Sequence, residues 1–252
     1  MGDAGDGTMN RPPRFAVSSS AVRDGIAIVA GPELHHIRDV MRLRAGAAVT
    51  MLDETGVEYC GHIRGFEQER VLIDVRSSAR RGRDYSLILA AAIIKGPRMD
   101  LMVEKAAELG ATELLPLMCA RGQIRNPGVE RVARWRRLAL AAAKQSLAPR
   151  PMEVAAPVTF EDAIAAATRG RLGIICSPGA PALAPILGET RARDLIILCG
   201  PEGGFDPNEA ALAARAGFRP AGLGPNRLRS ETAAIAALSI AAAAFEEIAQ
   251  GA

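Results

Sequence analysis

The sequence predicts an α/β fold in two parts: a small domain of short strands, then a domain in which buried strands alternate with helices around a parallel sheet. Three observations carry that prediction. Between about Arg14 and Val75, five short apolar runs are separated by turn residues. Beyond Asp84, continuous apolar runs alternate with segments of helical spacing, the pattern of strands covered on both faces. In the last third of the chain, two glycine-rich turns each follow an apolar run and open a helix.

The early runs are Phe15–Val17, Ile26–Val29, Ala48–Leu52, Tyr59–Ile63 and Val71–Val75, with one helix over about Pro32–Met41. Such spacing predicts a small β-barrel. Ser77–Asp84 is polar and basic and reads as a linker. The expected division is a disordered leader at 1–10, a β domain at 11–78 and an α/β domain at 79–252. In the last of these, Leu87–Ile94 is the first strand. Pro97 then suits a helix start, Leu101, Met102, Lys105, Ala106 and Leu109 share helical spacing, and Gly110 fits the stop. Glu113–Met118 reads as a strand and about Val129–Leu147 as a long helix. Thr159 and Asp162 resemble a capping box before a helix over Ala163–Thr168, which Gly170 ends. Leu172–Cys176 and Leu195–Cys199 are two further strands. Asp206-Pro207-Asn208-Glu209 supplies an N-cap, a proline at the first helical position and an acid at the third. Phe218–Leu223 is the last strand, followed by an alanine-rich closing helix.

Composition narrows the function classes. A chain of 252 residues that is 49% apolar can bury a substantial core, and no uninterrupted apolar run is long enough to cross a bilayer. The first ten residues lack the basic start and apolar centre of a signal peptide, so the cytoplasm is the expected compartment. Net charge is only +3, but the basic residues cluster. Arg121, Arg125, Arg131, Arg134, Arg136, Arg137, Lys144 and Arg150 stand against Glu130 alone. Arginine favours bidentate phosphate contacts and stacking on bases; a solvated helix face is the plainer reading of the same run. Trp135, between arginines, reads as a core anchor. Cys119, Cys176 and Cys199 end apolar runs and Cys60 stands far from them, so free thiols are expected. Neither the cysteines nor His35, His36 and His62 have zinc spacing, and no metal is expected.

The two late turns carry the chemistry. Gly200-Pro201-Glu202-Gly203-Gly204 follows Leu195–Cys199, and Leu223-Gly224-Pro225-Asn226-Arg227-Leu228-Arg229-Ser230-Glu231-Thr232 follows the last strand. Open α/β sheets bind ligands beyond the carboxyl ends of their strands. Neither turn is G-x-G-x-x-G or a Walker A loop, which disfavours a dinucleotide-dependent oxidoreductase. There is no nucleophilic Ser-His or Cys-His arrangement and no carboxylate dyad, so transfer from an external reactive cofactor fits better than hydrolysis.

With these turns stand Arg14-Phe15, the stretch from His36 to Gly46 with Val40-Met41-Arg42, Lys95-Gly96-x-Arg98-Met99-Asp100, Glu104-Lys105-x-x-Glu108-Leu109-Gly110, Pro116, Arg121, Trp135 and Gln145-Ser146. Nearly end to end, the chain resembles the SPOUT methyltransferases, most closely the 16S ribosomal RNA uracil-N3 methyltransferases of the RsmE family. That resemblance implies a PUA-like RNA-binding N-terminal barrel and a C-terminal domain with a deep trefoil knot. It implies S-adenosylmethionine held mainly by backbone after Leu172–Cys176, Leu195–Cys199 and Phe218–Leu223, around Leu198, Gly200, Glu202, Gly203, Leu223, Gly224, Leu228 and Ser230. It also implies a homodimer acting on 16S rRNA, in the 30S subunit.

The expected reaction replaces the N3 proton of a uridine with a methyl group, so the base must be unpaired or flipped out. Arg229 is the candidate to stabilise charge on the uracil carbonyl oxygens, unless it only pairs with Glu231 or Glu202. Glu231 is the one carboxylate to test as a base; water or RNA are the other acceptors. Lys95, Arg98, Arg121, Arg125, Arg134 and Arg137 are candidate RNA contacts. The chain departs from the family pattern at Asn226 and Arg227, where a basic and an aliphatic residue are usual, at Lys144 and Ala148, which replace Glu and Arg, and at Ala47, which replaces Asp. Rival expectations are methylation of another rRNA or tRNA position, and a non-catalytic RNA-binding protein of ribosome assembly.

Overall fold

The computed structural model describes residues 12–53, 55–80, 85–146, 148, 150–167 and 170–250. The leader expected at 1–10 lies outside them. Two compact units divide the chain, residues 1–82 and 83–252.

In the first unit, β1 (Arg14–Ala16), β2 (Val22–Arg23), β3 (Ile26–Ala30), the short helix α1 (Pro32–His35), β4 (Ala48–Leu52), β5 (Val57–Phe66) and β6 (Arg70–Arg80) follow one another. A single turn of π-helix, His36–Val40, continues α1. The strands form one sheet in the order β1-β4-β5-β6-β3-β2, antiparallel except for the parallel β1–β4 pair. Register shifts at Cys60/Gly61 and Ile63/Gly65 break the long β5–β6 ladder, and such bulges sharpen strand twist and bend. The sheet curls over Phe15, Val29, Leu34, Ile37, Met51, Ile63, Val71 and Ile73. Half of the expected linker is strand: Ser77, Ser78, Ala79 and Arg80 pair with Cys60, Tyr59, Glu58 and Val57. Polarity misled there because a strand tolerates polar side chains wherever its partner satisfies the backbone. The remainder of the linker, 81–84, lies outside the described residues.

The second unit runs β7 (Ser86–Ala92), α2 (Pro97–Glu108), β8 (Glu113–Met118), α3 (Val129–Ser146), β9 (Glu153–Val154), β10 (Val158–Thr159), α4 (Phe160–Ala167), β11 (Leu172–Cys176), α5 (Leu183–Thr190), β12 (Asp194–Cys199), α6 (Pro207–Arg215), β13 (Arg219–Ala221) and α7 (Ser230–Gln250). Its sheet is parallel throughout, in the order β10-β8-β7-β12-β11-β13 with β9 on β8. Strand residues alternate between two cores. Leu87, Leu89, Leu195 and Ile197 face Met102, Val103, Trp135, Leu187 and Leu238 of α2, α3, α5 and α7. Ile88, Ala90, Ile196 and Leu198 face Phe160, Ile164 and Ala213 of α4 and α6. Both faces are covered, which is why these strands read as unbroken apolar runs. Trp135 is 3% exposed, a core anchor as expected.

The helix α5 and the short strands β2, β9 and β10 had no sequence expectation. Pro185 and Gly188 interrupt α5, and both residue types weaken a helical reading. Tertiary burial of Leu183, Ile186 and Leu187 overrides them.

At the start of α6 the expected cap forms and reaches further than the helix. Asp206 accepts from the Asn208 N–H at 2.9 Å, while Oε2 of the buried Glu209 accepts from the Asp206 N–H at 2.7 Å. The other oxygen, Oε1, accepts from the Ala120 N–H at 2.8 Å and so ties the segment after β8 to α6. Glu209→Ala therefore strands two backbone donors, for an expected loss of about 2–4 kcal/mol. In a thermal melt that is a fall of roughly 5–12 °C for a chain of this size; an unchanged midpoint contradicts the tie.

Candidate functional site

Three loops leave the sheet on one side, at the carboxyl ends of β11, β12 and β13. They enclose a cleft of about 440 Å³, within the range of small-molecule sites. Its walls are Cys176–Gly179, Gly200–Phe205, and Ala221 with the segment from Leu223 to Leu228, closed by Ser230 and Ala233 of α7. The loops touch through backbone. Gly222 donates to the Pro181 carbonyl at 2.7 Å and its own carbonyl accepts from Leu183 N–H at 3.1 Å. A Cβ at Gly222 would stand 2.4 Å from the Ala180 carbonyl oxygen, so only glycine allows that approach. Gly224 turns the chain at φ +126°, a conformation other residues avoid.

The polar side chains of the lining are those of Ser177, Glu202, Asn226, Arg227 and Ser230. The Ser230 Oγ, in the first turn of α7, is buried and has no hydrogen-bond partner among the described residues. The adjoining helix start offers unpaired N–H groups and the positive end of a helix dipole. Arg227 and Glu202, both exposed, also line the cleft, and Arg227 Nη2 donates to the Glu202 carbonyl at 3.0 Å.

Seven of the eight residues expected around a cofactor line this cleft: Gly200, Glu202, Gly203, Leu223, Gly224, Leu228 and Ser230. Leu198 does not; its side chain is fully buried in the α4/α6 core. Of the catalytic candidates, Arg229 is exposed just outside the lining, and no partner holds its side chain among the described residues. Glu231 is 5% exposed, and its Oε2 accepts no hydrogen bond. The expected alternative pairing of Arg229 with Glu231 or Glu202 is not formed. Arg98 takes that place, with Nη1 2.9 Å from Glu202 Oε1 and 3.9 Å from Glu231 Oε2.

The candidate RNA contacts divide. Lys95, Arg125 and Arg137 are exposed. Arg134 pairs with Asp100 at 2.9 Å, and Arg121 donates to the Gly203 carbonyl at 3.1 Å. Contacts between residues this far apart in the chain leave no local pattern, so sequence reading could not separate the two groups.

All four cysteines are free. Cys176 and Cys199 sit side by side at the ends of β11 and β12, with their sulfurs 3.6 Å apart. The hydrogen bond that Cys199 gives Cys176, together with full burial, holds the Cys199 thiol well above its usual range. Burial, helped by the Glu209 charge, pushes Cys119 up to about 12. Among the described residues, no group of His, Cys, Asp and Glu is arranged to hold a metal ion, and no helix is long and apolar enough to cross a membrane.

A parallel sheet whose glycine-rich post-strand loops enclose a cleft of small-molecule size defines an α/β protein with a candidate ligand site. Residues 82–242 match the RNA methyltransferase domain family. Over 237 residues the chain is 30% identical to the ribosomal RNA small subunit methyltransferase E of Mycobacterium bovis, covering 89% of this chain and 88% of that one. It is 29% identical to the protein of the same name from Synechocystis, covering 90% and 76%. A ribosomal RNA small subunit methyltransferase E from Neisseria gonorrhoeae, solved bound to S-adenosyl methionine, superposes with a TM-score of 0.71 at 26% identity, over 90% of this chain and 95% of that one. The chain belongs to the RNA methyltransferase family, in its ribosomal RNA small subunit methyltransferase E branch.

Thiolates, not thiols, react with alkylating agents. Near neutral pH, iodoacetamide is expected to modify the exposed Cys60 first and Cys176 more slowly. Cys119 and Cys199 react only after unfolding. Peptide mass spectrometry reads the order; early labelling of Cys119 contradicts the burial described.

Proposed function

We propose that the chain transfers the methyl group of S-adenosylmethionine to N3 of a specific uridine in 16S ribosomal RNA. On this reading it works in the cytoplasm as a homodimer, on the 30S subunit. The second unit is then a trefoil-knotted SPOUT domain and the first a PUA-like RNA-binding barrel. The observation that carries the proposal is the cleft itself, a nucleoside-sized space walled by the backbone of three loops. Family membership and the relative bound to S-adenosyl methionine supply the ligand. The path of the closing helix supports the knot: α7 leaves the edge strand β13 yet packs on β7 and β12 and against α2 and α5.

The residues present fit such a ligand. Ser230 Oγ is a hydroxyl in the wall with no hydrogen-bond partner among the described residues, the α7 start supplies N–H donors, and Gly224 in the lining places no side chain between backbone and ligand. Gly200, Glu202, Gly203, Leu223, Gly224, Leu228 and Ser230 would hold it. When bound, it would supply an electrophilic sulfonium methyl group to replace the N3 proton, its sulfur leaving as the neutral thioether. Arg229, exposed beside the α7 start, is available to a base entering from solvent and stabilises the charge that develops on the uracil oxygens. Glu231 has a free oxygen, but it is buried and lies against Arg98, so it shapes the site and does not reach a base. The N3 proton passes to water or to RNA. Lys95, Arg125 and Arg137 are the phosphate contacts, with Arg134 beside them.

The test incubates the chain with S-adenosylmethionine and 30S subunits from a strain lacking this activity, then identifies methylated nucleosides by mass spectrometry. 3-Methyluridine is expected; label in another nucleoside replaces the target, and no label with no cofactor binding overturns the proposal. In the same assay, Arg229→Ala is expected to lower kcat by about 10²–10³-fold, as loss of one charge-stabilising donor does elsewhere. Its affinity for S-adenosylmethionine stays within about twofold, well under the 1.4 kcal/mol that a tenfold change represents. Near-normal turnover contradicts the role given to Arg229.

A further inference from the structure

Three arginines from distant parts of the chain meet on one turn of the cleft. Arg98, in the first turn of α2, lies 2.9 Å from the Glu202 carboxylate. Arg121, after β8, donates to the Gly203 carbonyl at 3.1 Å and stands 3.8 Å from Asp206. Arg227, after β13, donates to the Glu202 carbonyl at 3.0 Å. Two successive carbonyls and one carboxylate are thus held from three directions, and Gly204 N–H closes the turn onto the Pro201 carbonyl at 2.8 Å.

A site made of backbone has few side chains to orient a ligand, so its affinity depends on how well the loop is ordered before binding. Gly200, Gly203 and Gly204 bring no side-chain packing of their own, and a three-glycine loop is costly to order. The guanidinium groups supply what the glycines lack. Arg98 is half-buried and Arg121 and Arg227 are exposed, yet each has a polar contact with the turn. The departure at position 227 now has a physical role, since an aliphatic side chain there could not donate to Glu202.

We propose that Arg98, Arg121 and Arg227 are positioning residues that brace the Glu202–Gly203 turn for the cofactor and are not phosphate contacts. The identity of the ligand rests on the function proposed above; the brace itself does not. Arg98 also lies 3.9 Å from the buried Glu231 at the start of α7, so one guanidinium spans the Glu202 turn and the helix that closes the cleft. Order in one wall is thereby shared with the other.

The experiment compares Arg227→Leu, Arg98→Met and Arg98→Lys in the full chain. Calorimetric titration with S-adenosylmethionine is expected to show affinity about three- to tenfold weaker for the first two, the range of one net hydrogen bond. KM for the cofactor rises with them while kcat is largely kept. Arg98→Lys, which can retain an ion pair with Glu202, recovers most of the loss. Binding to 16S rRNA keeps its affinity and its salt dependence. Unchanged cofactor affinity, with RNA binding weakened and its salt slope reduced by about one per arginine, overturns the proposal. In ligand-free protein, faster amide exchange at Gly203 and Gly204 in Arg227→Leu is expected, and unchanged rates overturn the brace. That last readout stands even if the unsubstituted chain binds no S-adenosylmethionine, a result that counts against the proposed function alone.

Discussion

The cleft exists because β11 lies between β12 and β13 in parallel register. Ile175 pairs with Leu198 on one side and Pro220 on the other, and Cys176 pairs with Ala221. Parallel strands deliver their carboxyl ends to the same edge of a sheet, so the three loops that follow must emerge together. A one-residue slip in any of these pairings would turn core side chains to the opposite face of a fully buried sheet. Burial of Ile174, Ile196, Ile197 and Leu198 at 0% exposure therefore fixes the site as firmly as it fixes the fold.

From that constraint the second unit assembles outward. Helices on both faces seal the sheet, and their starts carry the working groups: α2 brings Arg98, α6 its capped Asp206 and Glu209, α7 Ser230 and Glu231. Glu209 and Arg121 fasten the segment after β8 to the loop after β12 by separate contacts, one to α6 and one to Gly203. The loop after β12 is contacted by charged groups from three other segments, through Arg98, Arg121 and Arg227.

Much of this was legible in the sequence, for local reasons. Asp206-Pro207-Asn208-Glu209 announces a capped helix because the cap is made by residues three apart. Leu172–Cys176 and Glu113–Met118 begin and end as expected, since a strand buried on both faces keeps an unbroken apolar interior between its ends. The seven cleft residues followed from the resemblance of two glycine turns. Elements that needed tertiary support were missed, α5 through Pro185 and Gly188 and the end of β6 through its polar residues. The contacts of Arg98 with Glu202 and of Arg121 with Gly203 leave no mark in the sequence, because the partners are remote along the chain. Charge runs show where cations are, not what they face.

If the three post-strand loops form the S-adenosylmethionine site, a crystal of the chain soaked with S-adenosylmethionine will hold the ligand between residues 177–179, 200–205 and 223–230, with one of its polar atoms within hydrogen-bond distance of Ser230 Oγ. A ligand bound elsewhere, or one that leaves the Ser230 hydroxyl unpartnered, would contradict it.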